Sequence, residues 1–282
     1  MNIISQKQII GFALLLFFSM TCIAQVYQGE IRDAVSGEPL PYANFGIIGE
    51  DKGGISNGQG IFNVDFSDVV DSDSLMISYI GYKSKVYLVK DVDFSNSLIE
   101  LSPNTYDLQD IQVVAKRKVI KVGHNVKKYK GFTGWGSNKP SEGISRGTVI
   151  EAPPNPVLIK RLAVKIRHNT FDSVRCRVHI YEFENSQIGK PLLQKNVFFT
   201  TSKKGWVFVD LEKETIWMEK AVAVGVEWVD AWTDNATFER HLLAIAVRKS
   251  TGFFLVRDSP HQDWGISTGS LRPAFYLEAY QF

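Results

Sequence analysis

Four groups of residues have the types and spacing that chemistry could use. His179-Ile180-Tyr181-Glu182 has the His-x-x-Glu spacing of a zinc hydrolase, which would need a second, distant histidine. Ser259, His261 and Asp263 are the residue types of an acyl-transfer triad, which is defined by geometry rather than by spacing. Asp71-Ser72-Asp73 offers two carboxylates to a calcium ion but lacks the repeated oxygen spacing of a calcium loop. Trp228, Trp232 and Trp264 fall at or beyond the ends of apolar runs, where exposed rings could stack on sugar faces.

The elements that carry these residues decide between the readings. Val174, Cys176, Val178 and Ile180 alternate with Arg175, Arg177 and His179, which is a half-buried strand with one wet face. On a strand, residues three apart point to opposite sides, so His179 and Glu182 cannot readily share one ion. The five histidines, His124, His168, His179, His241 and His261, show no metal spacing. We expect no catalytic residue, no metal site and no cofactor. Asp71–Asp73 reads as a surface turn. Tryptophans also fill sandwich cores, as Trp206 and Trp217 would within strands, and that is the competing reading of the other three.

Period-2 runs recur along the whole chain, with no helical period anywhere. The first half gives Val26–Ile31, Tyr42–Ile48, Ile61–Phe66, Leu75–Ile80, Tyr82–Val89, Leu98–Leu101 and Ile111–Val114. Turn signals separate them: Ser36-Gly37, Gly53-Gly54, Asn57-Gly58 and Asp71-Ser72. Seven short strands in about 90 residues predict an immunoglobulin-like sandwich. Gly58 and Gly60 suit a tight turn of positive φ, and Gly81 a sharp bend. The second half adds the Leu162–Ile166 alternation, then Trp206–Leu211, Val222–Val229, Leu242–Val247, Phe253–Val256 and Phe275–Phe282. Some eight to ten strands there predict a larger, jelly-roll-like sandwich, so the fold class is all-β.

Address and charge bound the function further. Lys7, the apolar run Ile9–Phe18 and the small Ala24 before Gln25 form the layout of a secretory signal peptide, cleaved after Ala24. The run is too short to span a bilayer, and Ser19-Met20-Thr21 fits a lipoprotein signal at Cys22 poorly. We therefore expect an exported protein, periplasmic, outer-membrane-associated or at the cell surface, with no spanning helix after cleavage. Cys176 is then the one remaining cysteine, so no internal disulfide forms, and its strand position makes it a small core residue.

From Gln25 to Asp110 there are 14 acidic and 5 basic residues, and from Ile111 to Lys130 there are 7 basic and none acidic. All six tryptophans follow residue 130. These shifts divide the chain into a signal peptide (1–24), a first domain (25–115), a basic linker (116–130) and a second domain (131–282). The linker could meet nucleic acid, acidic polysaccharide or anionic lipid, and export argues against nucleic acid. The preferred reading is a solvated segment complementing the acidic first domain.

The wording of the first domain is specific. Gly29–Asp33, Ser36–Asn44, Ser56–Phe62, Leu75–Lys83 and Leu108–Ala115 follow one another as in the carboxypeptidase-regulatory-like domain family, which this segment resembles over residues 26–115. The resemblance implies a transthyretin-like fold. It also implies the setting of a structural or docking module found at the N-termini of TonB-dependent receptors and other exported Gram-negative proteins. The module is named after an accessory part of metallocarboxypeptidases, so it implies no peptidase activity. Only about 165 residues follow, too few for a large receptor barrel.

The second half resembles an uncharacterised β-domain that accompanies this module, through His168–Ser173, Val178–Tyr181, Gly205–Leu211 and Val224–Trp228. The expected function is a non-enzymatic envelope protein that binds a glycan or a protein, with Trp228, Trp232 and Trp264 as ligand residues. Alternatives are a structural or assembly component, a hydrolase of scattered residues, and a small outer-membrane barrel. Against the barrel, Glu278 interrupts the outward row of the last run and the strand lengths are uneven.

Overall fold

The computed structural model describes residues 26–93, 98–104, 118–125, 129–135, 142–234 and 242–282. The signal segment, the Leu108–Ala115 stretch and His241 lie outside the described residues.

Residues 26–104 form seven strands: β1 Val26–Asp33, β2 Asn44–Ile47, β3 Gly53–Ile55, β4 Ile61–Asp65, β5 Ser74–Ser78, β6 Lys85–Leu88 and β7 Leu98–Leu101. They make two sheets, β4-β1-β7 and β3-β2-β5-β6. The alternate residues Ile31, Phe45, Ile47, Phe62, Val64, Leu75 and Ile77 fill the space between them. One strand departs from the expectation. Gly53-Gly54, read as a turn, belongs to β3, which pairs with β2. The seventh expected run, Ile111–Val114, is outside the described residues, so the count of seven is reached by a different set. Gly60 takes the expected positive φ of 76°, whereas Gly58 does not.

Among the described residues the second half has thirteen strands, twelve of them within 131–282, where eight to ten were expected. They are β8 Lys118–Gly123, β9 Gly131–Trp135, β10 Ser145–Ile150, β11 Val157–Asn169, β12 Ser173–Glu184, β13 Gln187–Pro191 and β14 Phe198–Thr201, followed by β15 Gly205–Asp210, β16 Trp217–Met218, β17 Val222–Trp232, β18 Leu243–Arg257, β19 Gly265–Pro273 and β20 Phe275–Gln281. The main hydrogen-bonded path runs β13-β12-β17-β10-β18-β11-β20-β8. The long β18 joins two layers, pairing with β11 near Leu243–Ile245 and with β10 near Phe254–Arg257.

Val174, Cys176, Val178 and Ile180 of β12 and Val222, Val224, Val226 and Trp228 of β17 face inward from one layer. Ile159, Leu162, Val164 and Ile166 of β11 and Phe275, Leu277 and Ala279 of β20 meet them from the other. This apolar interior is the reverse of the polar lumen of a membrane barrel, and the path does not close among the described residues. Cys176 is fully buried, and desolvation pushes its thiol well above its ordinary value.

β8 corrects the linker. Lys118–Gly123 pairs antiparallel with β20, Ile120 and Val122 packing on the core while Val119 and Lys121 face out. Among the described residues, no helix is long and apolar enough to cross a membrane.

Candidate functional site

The polar side of β12, expected to be wet, is dry. Arg177, Glu227, Ser145 and Arg257 are direct cross-strand neighbours on β12, β17, β10 and β18, one row across four strands. All four are buried, Arg177 and Glu227 completely. Removing ions from water costs several kcal/mol each, so such a row persists only if nearly all its bonds are made; Arg257 Nε is left without a partner among the described residues. Arg177 grips Glu227 with Nε at 2.9 Å and Nη2 at 2.7 Å. Its remaining donors reach Tyr42 O at 2.7 Å, Asn44 Oδ1 at 2.5 Å and Asn196 Oδ1 at 3.1 Å. Tyr42 and Asn44 belong to the first sandwich, which therefore completes the guanidinium's bonding.

Glu227 also receives Arg257 Nη2 at 3.2 Å and His179 Nε2 at 2.5 Å. Burial alone would raise the Glu227 carboxyl. Arg177, the His179 hydrogen bond and Arg257 together hold it far below the ordinary carboxylate range. Burial lowers His179 to about 4, with Arg257 and Arg177 adding to the effect against the Glu227 bond. His179 is thus a neutral donor, and Tyr181 Oη lies 3.2 Å from its other nitrogen. Glu182 points away to solvent, so the His-x-x-Glu pair is split by the strand pleat. Among the described residues, no group of three or more His, Cys, Asp and Glu could hold a metal ion.

One row along, Gly225 leaves the space that Trp264 occupies; a Cβ there would lie 2.4 Å from the Trp264 ring. Trp264 is half-buried, edge-on to His179 at 5.8 Å and under the Arg257 guanidinium at 4.9 Å. His261 does for the first sandwich what Trp264 does for the second. Its ring fills the gap over Gly46 and Gly53, where added Cβ atoms would meet it at 2.2 and 2.5 Å. Nε2 of His261 bonds Glu50 O at 2.8 Å, and Ser259 Oγ sits 2.7 Å from Nδ1. Ser259 and His261 are therefore paired but buried as a plug between the sandwiches, while Asp263 is exposed. With its second ring nitrogen on Glu50 O rather than on Asp263, His261 does not complete a triad. Gly81 completes the junction. Its φ is +88°, and a Cβ would lie 2.2 Å from Gln194 O of the second sandwich.

Beside the junction lies a cleft of about 570 Å³, walled by Phe45, Phe62, Asn57 and Asn63 on one side and Glu142, Val229 and Asp230 on the other. Tyr42 stands at its end in a left-handed conformation, φ 62°, an outlier for an aromatic residue. The strain is held by its partners. Tyr42 Oη donates to Asp230 at 3.0 Å and accepts from Arg175 Nη1 at 2.7 Å, and its carbonyl takes Arg177. Desolvation raises the Tyr42 hydroxyl, and desolvation followed by Asp230 raises the Glu142 carboxyl.

The three candidate tryptophans are dispersed. Trp228 is only 6% exposed, packed on Phe171 with its Nε1 on Asp230 O, so it is a core residue rather than a platform ring. Trp264 is committed to the Gly225 gap. Trp232 is 42% exposed, and Arg175 bridges its ring and that of Tyr42, at 5.1 and 5.5 Å. None of the three lines the cleft; Trp232 reaches it only through Arg175 and Tyr42. Asp71 and Asp73 lie in a turn, Asp73 accepting from Val70 N.

Two stacked all-β sandwiches, joined through a buried ionic row, define the class of architecture. Residues 27–113, less than a third of the chain, match the family model described as the CarboxypepD_reg-like domain, so the first sandwich is similar to that domain. No curated protein matches the chain. A solved structure titled "Structure of infectious bursal disease virus Gt strain" is similar at 10% identity, over 90% of this chain and 62% of that one, with a TM-score of 0.24. The chain thus spans less than two thirds of that protein, and a likeness at this level carries no argument about function.

Proposed function

We propose that this is an exported, non-enzymatic envelope protein that binds a glycan in the cleft between its two sandwiches. The observation that carries the reading is the composition of that cleft. Amide and carboxylate side chains, Asn57, Asn63, Asp230 and Glu142, line it and offer the hydrogen bonds that sugar hydroxyls use, while the exposed Trp232 ring, outside the cleft wall, is linked to Tyr42 at its end through Arg175. Because the walls come from both sandwiches, the junction pre-organises the site at no cost to the ligand. Export is supported by the N-terminal sequence pattern, and the regulatory-like domain suits a docking module of the cell envelope, periplasmic or surface-exposed.

A glycan array probed with the mature chain tests this. The expected result is a discrete set of bound glycans whose signal falls about five- to thirtyfold in Trp232→Ala and in Asn63→Ala, given about 1–2 kcal/mol per stacking or hydrogen-bonding group. A silent array with a folded protein overturns the glycan reading and leaves the structural or assembly role.

A further inference from the structure

The second sandwich has another outer face, on the layer away from the first sandwich, and nothing in the reading above uses it. It is built from the outward residues of β8, β20, β11, β15 and β9. Lys121, Arg161, Lys165 and Arg167 project from it, and Glu278 is nearly buried beneath Arg161 and Lys121. Among the described residues, neither Lys165 nor Arg167 has a carboxylate partner. Both converge on the Tyr129 ring, at 5.9 and 4.9 Å, and Lys165 also covers Trp206. Like charges gathered on one aromatic ring raise the local positive potential. Desolvation, then Arg167 and Lys204, lowers neighbouring His168 below its ordinary value.

Among these cations stand part-exposed apolar side chains from three strands: Val119 of β8 is 44% exposed, Phe132 of β9 52% and Phe208 of β15, with the Arg161 guanidinium 4.3 Å over its ring, 45%. We infer that this face docks the protein flat on an anionic lipid bilayer, the phenyl rings entering the headgroup boundary and the cations meeting the phosphates.

Charge complementarity and the type of apolar residue choose this occupant. Exposed Val and Phe offer a sugar chain no hydrogen bond, whereas at a bilayer they bury apolar area beside Lys and Arg stems that reach the headgroups. The charge distribution gives the orientation. The first domain carries the acidic excess, 14 acidic to 5 basic residues over Gln25–Asp110, and it sits on the opposite layer, away from the lipid.

Co-sedimentation of the mature chain with phosphatidylcholine vesicles, with and without phosphatidylglycerol, tests the inference. The expected result is binding to the anionic vesicles alone, weakened by added salt. Lys165→Gln with Arg167→Gln should weaken it about 25-fold, roughly fivefold for each cation lost near a charged surface. Phe132→Ser, at an exposed position that leaves the fold intact, should weaken it without changing the salt dependence. Equal binding to neutral vesicles, no binding to anionic ones, or capture by soluble heparin without vesicle binding would each overturn it. The glycan array reads the opposite layer, so either result can fail without the other.

Discussion

The two outer faces of the second sandwich begin from the same kind of sequence and end in opposite states. On β12 and β17, Arg177, His179 and Glu227 alternate with core residues, as Arg161, Lys165 and Arg167 accompany the core residues of β11. The first set is sealed under the regulatory-like domain with its bonds completed by Tyr42 and Asn44. The second set stays open: Lys165 and Arg167 rest on aromatic rings, and Arg161 shares the one acid, Glu278, with Lys121. Charge on a strand therefore does not choose the exposed side; what covers the strand does. A charged row needs an acid within it and acceptors above it to be buried, and only the first face has both.

The largest effect is expected from removing the acid of the sealed row. Glu227→Gln leaves Arg177 and Arg257 facing one another without a counter-charge, which should cost about 3–5 kcal/mol in urea unfolding. A loss below about 1 kcal/mol would mean that the row is hydrated rather than sealed.

Acid should act on the same face. His179 falls from 6.5 to about 4 on folding, so the unfolded chain binds the extra proton. The stability it contributes is complete above about pH 6.5 and is lost as pH drops towards 4, on the order of 3 kcal/mol in all. Glu227, lowered on folding, adds a loss below about pH 4.5 of the same sign. Unfolding midpoints measured from pH 7 to 4 should show this slope, and His179→Gln should flatten its upper part. An unchanged slope in that variant would remove His179 from the account.

The open face should be the least sensitive. Lys165→Gln is expected to change stability by less than about 0.5 kcal/mol, since an exposed cation over a ring contributes little to folding. A larger loss would show that this face, too, is part of the packed structure.

Much of this was legible in the chain. The strand alternation, the wording of the regulatory-like domain and the core place of Cys176 all follow from residue order. Trp228 was legible as well, because it continues the inward series Val222, Val224 and Val226. Its position near the strand end masked that period. β8 was hidden by its lysines, although Ile120 and Val122 keep the alternation, and β3 by two glycines that also signal a turn. The sealed row was not legible. Period-2 patterning separates the two sides of a strand but is silent on what lies over the polar side, and Tyr42 and Asn44 are more than a hundred residues from Arg177. Only afterwards do Gly46, Gly53, Gly81 and Gly225 read as the spaces in which His261, Gln194 and Trp264 seat.

The central claim is that the two sandwiches form one cooperative unit because the ionic row needs both. Native-state hydrogen exchange, followed by mass spectrometry on the mature chain, tests it most directly. The account predicts that amides of β2 and β5 in the first sandwich and of β12 and β17 in the second open with a common free energy, and that Glu227→Gln lowers both together. Exchange of the first sandwich at a distinctly lower free energy, unmoved by Glu227→Gln, would contradict it.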